Sequence, residues 1–91
     1  MRRSKLETYV DILKVLAKNG PLKLTHIMCK ANVNGGLLKD YLGFLIKQGL
    51  VEEQAIKKKN SIFSVTKHGL VVLQQLRELS QALPILEEAR R

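Results

Sequence analysis

Basic side chains are the residues of this chain whose chemistry stands out, and a polyanion is the partner that they favour. The 91 residues include 16 Lys and Arg but only 8 Asp and Glu, which leaves a net charge of +8 at neutral pH. Such an excess is typical of proteins that bind DNA, RNA or an anionic membrane surface. The longest unbroken basic run is Lys57, Lys58 and Lys59. These lysines are therefore the first candidates for phosphate contacts.

Other reactive residue types are too few or too scattered to form a catalytic or metal site. His26 and His68 have no set of Cys or carboxylate ligands at the spacing of a metal site, so we expect both on the surface. The single Cys29 cannot form an internal disulfide, and its place in the apolar pattern predicts a core position. No nucleophile, base and orienting group can be combined, so we expect no enzyme, no metal and no cofactor. Two Tyr and two Phe are also too few for a platform that stacks single-stranded bases.

Residues 25–50 are predicted to form a helix-turn-helix, which would position polar side chains for contact with a partner. Asn32 and Asn34 bracket Val33 and predict a tight turn. Asn34 is suited to cap the second helix, because its side-chain oxygen can accept from the free amides there. Gly49 is suited to the left-handed conformation that ends a helix. Apolar residues recur between them at helical spacing: Leu38, Tyr41, Leu42, Leu45 and Ile46. The second helix of such a motif usually enters the DNA major groove.

A first helix and a short link are predicted before this motif. The helix covers residues 4–19, with Ser4 as its cap and Glu7 as the reciprocal partner of a capping box. Residues 22–24 form a brief extended link that could be a short strand. Thr25 is then predicted to cap the first helix of the motif.

A hairpin and a last helix are predicted after the motif. Strands at residues 50–53 and 61–65 enclose a polar tip at residues 55–60, which contains the basic run. Such a tip is either a basic wing that contacts phosphates or a charged end that keeps an edge strand soluble. Thr66 is suited to cap the last helix. The order of elements predicts a mainly α (α+β) fold, a winged helix-turn-helix with a long C-terminal helix.

The last helix carries an apolar seam. Its members alternate at spacings of four and three: Val72, Leu76, Leu79, Leu83 and Leu86. Leu70, Val71 and Leu73 widen the start of the helix, where we expect it to meet the core. Leucines beyond residue 76 extend past a domain this small, so a second copy of the chain is expected to cover them. Pro84 should kink or end the helix.

Short motifs along nearly the whole chain are shared with one group of proteins. They are Arg3-Ser4-Lys5-Leu6-Glu7, Asp11-Ile12-Leu13, Thr25-His26-Ile27-Met28, Lys30-Ala31-Asn32-Val33, Leu38, Tyr41-Leu42, Leu45, Gly49-Leu50-Val51, Thr66 and Gly69. Through them the chain resembles the small archaeal winged-helix DNA-binding proteins, which include basic chromatin-associated proteins and predicted transcriptional regulators. The resemblance implies a homodimer joined by the C-terminal helices as an antiparallel coiled coil. It also implies double-stranded DNA bound by the second helix of the motif and the wing.

The chain departs from that group in three places. Cys29 stands where the group often has a tyrosine. The second helix opens with Gly35-Gly36-Leu37 instead of polar or aromatic side chains, and Gly43-Phe44 replaces residues that are commonly polar. The last two departures leave few side chains for reading base edges.

We therefore expect residues 1–66 to form a DNA-binding domain and residues 67–91 to form a dimerisation helix. The expected role is transcriptional regulation or chromatin architecture, and the alternative is a protein-interaction module that docks a partner on Leu37 and Phe44. The chain shows no apolar run of transmembrane length and no secretory signal, so we expect a cytoplasmic, nucleoid-associated protein. The candidate DNA-binding residues are Arg2, Arg3, Lys23, Thr25, His26, Lys30, Asn34, Gly35, Gly36, Lys39, Lys57, Lys58 and Lys59. The candidate dimer interface is Val72, Leu76, Leu79, Leu83 and Leu86.

Overall fold

The secondary-structure elements follow one another in the winged-helix order that the sequence predicts. The computed structural model describes residues 4–57 and 60–82. Its elements are α1 (Lys5–Asn19), β1 (Leu22–Lys23), α2 (Leu24–Ala31), α3 (Gly35–Lys47), β2 (Val51–Lys57), β3 (Asn60–Val65) and α4 (Lys67–Ala82). The strands form an antiparallel sheet in the order β1-β3-β2, which makes β3 the central strand. The fold is therefore a mainly helical winged helix with a small sheet, as expected.

Helix α1 begins where the capping box predicts. The Glu7 N–H donates to Ser4 Oγ, and the Ser4 N–H donates to Glu7 Oε1, both at 3.1 Å. This reciprocal pair satisfies amides that the start of a helix would otherwise leave unpaired. Leu6 was expected on the apolar face but is 51% exposed, and the large apolar side chains of α1 are fully buried only from Ile12 onward. The first turn of α1 therefore contributes its cap more than its packing.

A hydrophobic core lies between the helices and the sheet. Its buried side chains are Ile12, Leu13, Leu16, Ile27, Ala31, Val33, Leu38, Leu42, Leu45, Val51, Phe63 and Leu73. Burying one large apolar side chain contributes ~1.5–3 kcal/mol. Every helix and both hairpin strands supply at least one member, so the core holds α2 and α3 at a fixed position on the domain.

The β2–β3 hairpin is longer than predicted. Pairing continues to Lys57, whose partner is Asn60, with a bulge shortly before it. Ala55 and Ile56 were expected in the polar tip but belong to β2. The prediction of a long tip was wrong because backbone pairing does not require apolar side chains. Every residue of β2 after Val51 is exposed. Its sequence therefore lacks the alternation of apolar and polar residues that would have predicted the full strand.

Hydrogen bonds connect the start of α4 to the segment that follows α3. We call the four residues involved the α3–α4 joint: Gly49, Leu50, Thr66 and Gly69. The Thr66 hydroxyl donates to the Gly49 carbonyl at 2.7 Å and accepts from the Gly69 N–H at 2.9 Å. Thr66 thus caps α4 as predicted. The Thr66 N–H donates to the Leu50 carbonyl at 3.0 Å. Gly49 has a φ of +76°, the left-handed conformation expected after α3.

Helix α4 presents one stripe to the core. Leu73 is 3% exposed, whereas Leu70 and Val71 are 45% and 53% exposed. The expectation that all three meet the core was wrong for Leu70 and Val71. Successive helical residues point about 100° apart, so a helix on the surface of a domain buries only part of an apolar cluster.

The predicted seam of α4 moves from partial burial to exposure along the helix. Val72 and Leu76 are partly buried, and Leu79 is 47% exposed. The remaining seam residues and the predicted kink lie outside the described residues: Leu83, Pro84 and Leu86. The length of the seam beyond Leu79 therefore stays a prediction.

Gly69→Ala should destabilise the fold, because the joint leaves no room for a side chain there. A Cβ at Gly69 would clash with the Leu50 carbonyl oxygen and lie 2.7 Å from Val65 Cγ2. We expect a loss of about 1–3 kcal/mol in the free energy of unfolding, as at other overpacked positions. Gly43→Ala is the matched control, because a Cβ there meets nothing within 4 Å; it should stabilise α3 by roughly 0.5–1 kcal/mol. Urea unfolding measures both, and equal stabilities would contradict the close approach at Gly69.

Candidate nucleic-acid interface

The turn between α2 and α3 is built by two asparagines and a buried valine, as predicted. Asn32 ends α2 in the left-handed conformation, with φ 55° and ψ 55°. Val33 is 9% exposed and belongs to the core, and its N–H donates to the Met28 carbonyl at 3.2 Å. Asn34 Oδ1 accepts from the Gly36 N–H at 2.9 Å and caps α3. The angle between the two helices is thus set by local hydrogen bonds and one apolar anchor.

Helix α2 begins two residues earlier than predicted. Its cap is Lys23, which makes no side-chain capping hydrogen bond, and its first residue is Leu24. The prediction that Thr25 caps this helix was wrong, because β1 ends at Lys23 and the helix follows it directly. Thr25 and His26 are exposed in the first helical turn. The amides at this end have no side-chain cap that would compete with a ligand.

One side of α3 is free of the core, and five residues form what we call its outer strip: Gly36, Lys39, Asp40, Gly43 and Lys47. All of them are exposed. They lie away from the core face of the helix, which is formed by Leu38, Leu42 and Leu45. At about 100° per residue the centre of the strip is roughly opposite that face. The strip is therefore the part of α3 that a large ligand can reach.

Gly35 does not belong to the outer strip. It is partly buried, and a Cβ there would lie 3.2 Å from Met28 Cε and 3.3 Å from Met28 Sδ. Gly35 therefore allows α3 to start close to α2. Packing against Met28 therefore explains why this position is a glycine, without reference to any ligand.

Aromatic rings form the flank of α3 that faces α1. Tyr9 lies between Tyr41, at a centroid distance of 5.1 Å and edge-to-face, and Phe44, at 4.9 Å and stacked. Phe44 is still 44% exposed, and Leu37, about two turns earlier on the same side, is 51% exposed. We call Tyr9, Leu37, Tyr41 and Phe44 the aromatic flank. Sequence reasoning missed this cluster, because Tyr9 lies in α1 and nothing local links it to Phe44.

A cleft of about 320 Å³ forms the other flank of α3, where the helix faces the sheet. Its lining residues are Leu24, Lys39, Leu42, Gly43, Ile46, Glu53, Ser61 and Phe63. Glu53 pairs with Phe63 across β2 and β3, so both side chains lie on the face of the sheet that is turned to α3. Lys39 lies at the border between the cleft and the outer strip.

Most candidate DNA-binding residues lie on the surface. Those described and exposed are Lys23, Thr25, His26, Lys30, Asn34, Gly36, Lys39 and Lys57. The others, apart from Gly35, lie outside the described residues: Arg2, Arg3, Lys58 and Lys59. Cys29 is also exposed, so the expectation of a core cysteine was wrong. Helix α2 buries Ile27 and Ala31, and Leu24 and Met28 pack partly buried against the core, whereas Cys29 lies outside this apolar face.

Within residues 4–57 and 60–82, His, Cys, Asp and Glu form no group of three or more that could hold a metal ion. The helices of these same ranges include none that is long and apolar enough to cross a membrane. His26 and His68 are both exposed, as expected.

Known proteins share this arrangement. A family model described as winged helix-turn-helix matches residues 2–83. An uncharacterised protein of Methanocaldococcus jannaschii is 29% identical over 79 residues, which make up 87% of this chain and 35% of that protein. This chain therefore spans about a third of the length of that relative.

Solved structures of similar fold include two MarR-type proteins. A MarR-family transcriptional regulator from Silicibacter pomeroyi superposes with a TM-score of 0.76 at 22% identity, over 88% of this chain and 53% of that chain. A mutant of MarR from E. coli, complexed with operator DNA, superposes with a TM-score of 0.73 at 19% identity, over 79% of this chain and 53% of that chain. At these identities the likeness shows the fold.

Asn34→Ala should weaken the start of α3. The change removes the acceptor for the Gly36 N–H, and losing an N-terminal cap typically costs about 1 kcal/mol of stability. Asn34→Asp is the control, because its carboxylate keeps the acceptor at the positive end of the helix. Urea unfolding should show a lower midpoint for the alanine variant alone. An equal loss in both variants would show that the capping bond is not the source of the effect.

Proposed function

This chain belongs to the winged helix-turn-helix family, and we propose that it binds double-stranded DNA as a homodimer, as a transcriptional regulator or a chromatin-associated architectural factor. The observation that carries the proposal is the outer strip of α3. It lies opposite the core, and two of its five residues are lysines with exposed side chains, Lys39 and Lys47. The DNA major groove, about 12 Å wide, admits an α-helix.

The glycines of the outer strip support close contact with a phosphate backbone. A Cβ at Gly43 would meet no atom of the protein within 4 Å, so the surface there is open. Without side chains at Gly36 and Gly43, the helix backbone can approach a duplex more closely than a usual recognition helix. The first turn of α3 also presents the positive end of the helix dipole, which favours phosphate.

The same residues favour binding with little sequence preference. Base edges are read by Arg, Lys, Asn, Gln and acidic side chains in defined pairings. In the outer strip only Lys39 and Lys47 can donate to a base, and Asp40 is repelled by nearby phosphates. Contacts to phosphate carry no sequence information directly. We therefore propose that charge and groove shape supply most of the affinity.

Further phosphate contacts are proposed at the two ends of the interface. Lys23 and His26 flank the start of α2, whose amides have no side-chain cap. Lys57 lies at the end of β2, on the exposed hairpin. The remaining candidates would extend the same basic surface: Arg2, Arg3, Lys30, Lys58 and Lys59. The operator DNA in the E. coli MarR structure supports a duplex as the partner for this fold.

Dimerisation is proposed through the seam of the C-terminal helix. Residues 1–66 would form the DNA-binding domain, and residues 67–91 would join two copies of it. The seam residues are Val72, Leu76, Leu79, Leu83 and Leu86. The exposure of Leu79, at 47%, supports this proposal because an apolar side chain there lacks cover from its own domain. Two linked modules would then contact one duplex, and nucleoid association would follow from their affinity for DNA.

A protein-interaction module is the second candidate, and the aromatic flank favours it. Leu37 and Phe44 expose 51% and 44% of their surface beside the outer strip. Exposed aromatic side chains are enriched at protein interfaces. A chain with this role would not need the basic surface, so failure to bind any duplex at low salt would favour it over the first proposal.

Duplex binding should weaken steeply as salt rises. Fluorescence anisotropy over a salt series should give a linear plot of log affinity against log salt, with nearly equal lines for unrelated sequences. Lys39→Ala and Lys47→Ala should each flatten the slope by roughly 0.9, since each lysine that binds a phosphate releases counterions. No binding at low salt, or binding that ignores salt, would contradict the proposal.

Lys18→Ala is the matched control for these lysine variants. Lys18 is exposed in the last turn of α1, outside the proposed interface, and the substitution removes the same charge. It should leave the slope unchanged. A slope that falls equally in all three variants would indicate a response to net charge instead of contacts made by α3.

Leu79→Glu combined with Leu83→Glu should convert a dimer into a monomer that binds DNA more weakly. Burying one leucine contributes ~1.5–3 kcal/mol, and two charges in the seam remove this contribution from both copies. Weaker binding is expected because linked modules gain from effective concentration. Light scattering coupled to size exclusion measures the mass, and a wild-type mass of one chain at micromolar concentration would contradict the dimer.

Val71→Glu is the control for the seam. Val71 is 53% exposed on α4 and lies off the seam, so it receives the same kind of charge without entering the proposed interface. This variant should stay dimeric. Loss of the dimer in the control would show that α4 pairs through a different stripe.

A further inference from the structure

Ile56 is a large apolar side chain on the exposed arm of the hairpin. It is 52% exposed, although every residue of β2 between Val51 and Ile56 is charged, amide-bearing or small. Lys57, a proposed phosphate contact, follows it directly. An apolar side chain therefore lies beside a cation on a part of the chain that the core does not reach.

A β-bulge places Ile56 in this position. Ala55 pairs with Ser61 and Lys57 pairs with Asn60, so Ile56 is the extra residue of β2. In a regular strand, Ile56 and Lys57 would point to opposite faces of the sheet. A bulge interrupts this alternation, twists the strand and re-aims the side chains around it. Bulges are frequent next to functional sites and are treated as specific features of a fold.

The stability of the domain does not account for an isoleucine at this position. The side chain is half exposed, and Ile56 is absent from the core and from the apolar residues packed against it. Strand β2 also forms an edge of the sheet, because the strand order is β1-β3-β2. An exposed apolar side chain on an edge strand promotes unwanted pairing between chains. A threonine would have the same preference for a strand without that disadvantage.

We propose that Ile56 is an apolar wedge, which enters the minor groove from the hairpin and partly unstacks one base step while Lys57 binds the neighbouring phosphate. This inference rests on the proposed binding of double-stranded DNA. Isoleucine is among the side chains that proteins insert between base steps, and such insertion kinks the duplex toward the major groove. The juxtaposition of an exposed apolar side chain, a bulge that re-aims it and an adjacent lysine is what such a wedge requires.

An apolar wedge would give this chain a way to prefer certain DNA without reading base edges. Unstacking costs least at pyrimidine–purine steps, which are easily kinked, and costs more in stiff A-tracts. The wedge would therefore add a modest preference for deformable DNA, within the roughly three- to tenfold that one apolar contact contributes. It would also bend the duplex, which fits an architectural role better than an operator-specific one.

Ile56→Ala tests the wedge through two readouts, duplex bending and the salt series. Bending is measured by energy transfer between dyes at the ends of a short duplex that contains one central TA step. The wild type should shorten the end-to-end distance, and Ile56→Ala should abolish the change. Affinity should fall about three- to tenfold, as expected for losing one apolar contact. The salt slope should stay the same, because an apolar contact releases no counterions.

Two further variants separate the wedge from the charge and from the strand. Lys57→Ala should flatten the salt slope by roughly 0.9, which Ile56→Ala should not do. Gln54→Ala is the matched control, because Gln54 is exposed on the same strand and two residues before Ile56. It should leave bending, affinity and slope unchanged. A loss of bending in Gln54→Ala equal to that in Ile56→Ala would overturn the wedge.

Ile56→Thr tests whether the loss of bending comes from the missing apolar group or from a damaged hairpin. Threonine keeps the β-branched shape that suits a strand but replaces an apolar group by a hydroxyl. The variant should unfold at the wild-type urea concentration and still fail to bend the duplex. Full bending by Ile56→Thr or Ile56→Ala, with wild-type affinity, would overturn the wedge and leave the proposed function intact. Failure of the wild type to bind any duplex at low salt would overturn both.

Discussion

The hydrogen bond from the Thr66 hydroxyl to the Gly49 carbonyl is the contact on which the arrangement of the domain depends. At this point the end of α3, the start of β2, the end of β3 and the start of α4 meet. The adjacent bond from the Thr66 N–H to the Leu50 carbonyl repeats the connection through the backbone. Gly69 lets the two chain segments approach because it has no side chain. These bonds to backbone carbonyls therefore add to the shared core in fixing the orientation of α3 relative to α4.

Helix α3 has a different environment on each of its four sides. One side is core, one flank faces the Tyr9 ring of α1, and the other flank faces the cleft beside the sheet. The fourth side is the outer strip, which faces solvent. Because the core side and the aromatic flank hold the helix, the outer strip is not needed for packing within the domain. This separation explains how a helix can carry glycines on its exposed surface and still keep a fixed position, with Asn34 as its cap and Leu38 and Leu42 in the core.

The sequence predicted features that depend on neighbours a few residues away and missed those that depend on packing. The caps at Asn34 and Thr66 were predictable, because each is a hydrogen bond within three residues. Thr25 was misjudged because strand pairing, a long-range contact, decides where α2 begins. The stacking of Tyr9 on Phe44 had no local signal, since the two rings meet only when α1 packs on α3. The length of β2 was also missed, because its pairing with β3 is a backbone contact and its exposed side chains show no alternation of apolar and polar residues.

The open surface at two glycines of α3 has a consequence for how such a protein can evolve. A Cβ at Gly43 meets nothing, and one at Gly36 meets only Asn34 Oδ1, at an ordinary contact distance of 3.4 Å. Replacing either glycine by Asn, Gln or Arg would add a side chain of the kind that reads base edges, and no core residue would have to move. Under the proposed binding mode, a general DNA binder of this fold is one substitution away from a selective one. Selectivity could then arise, or be lost, while the core stays unchanged.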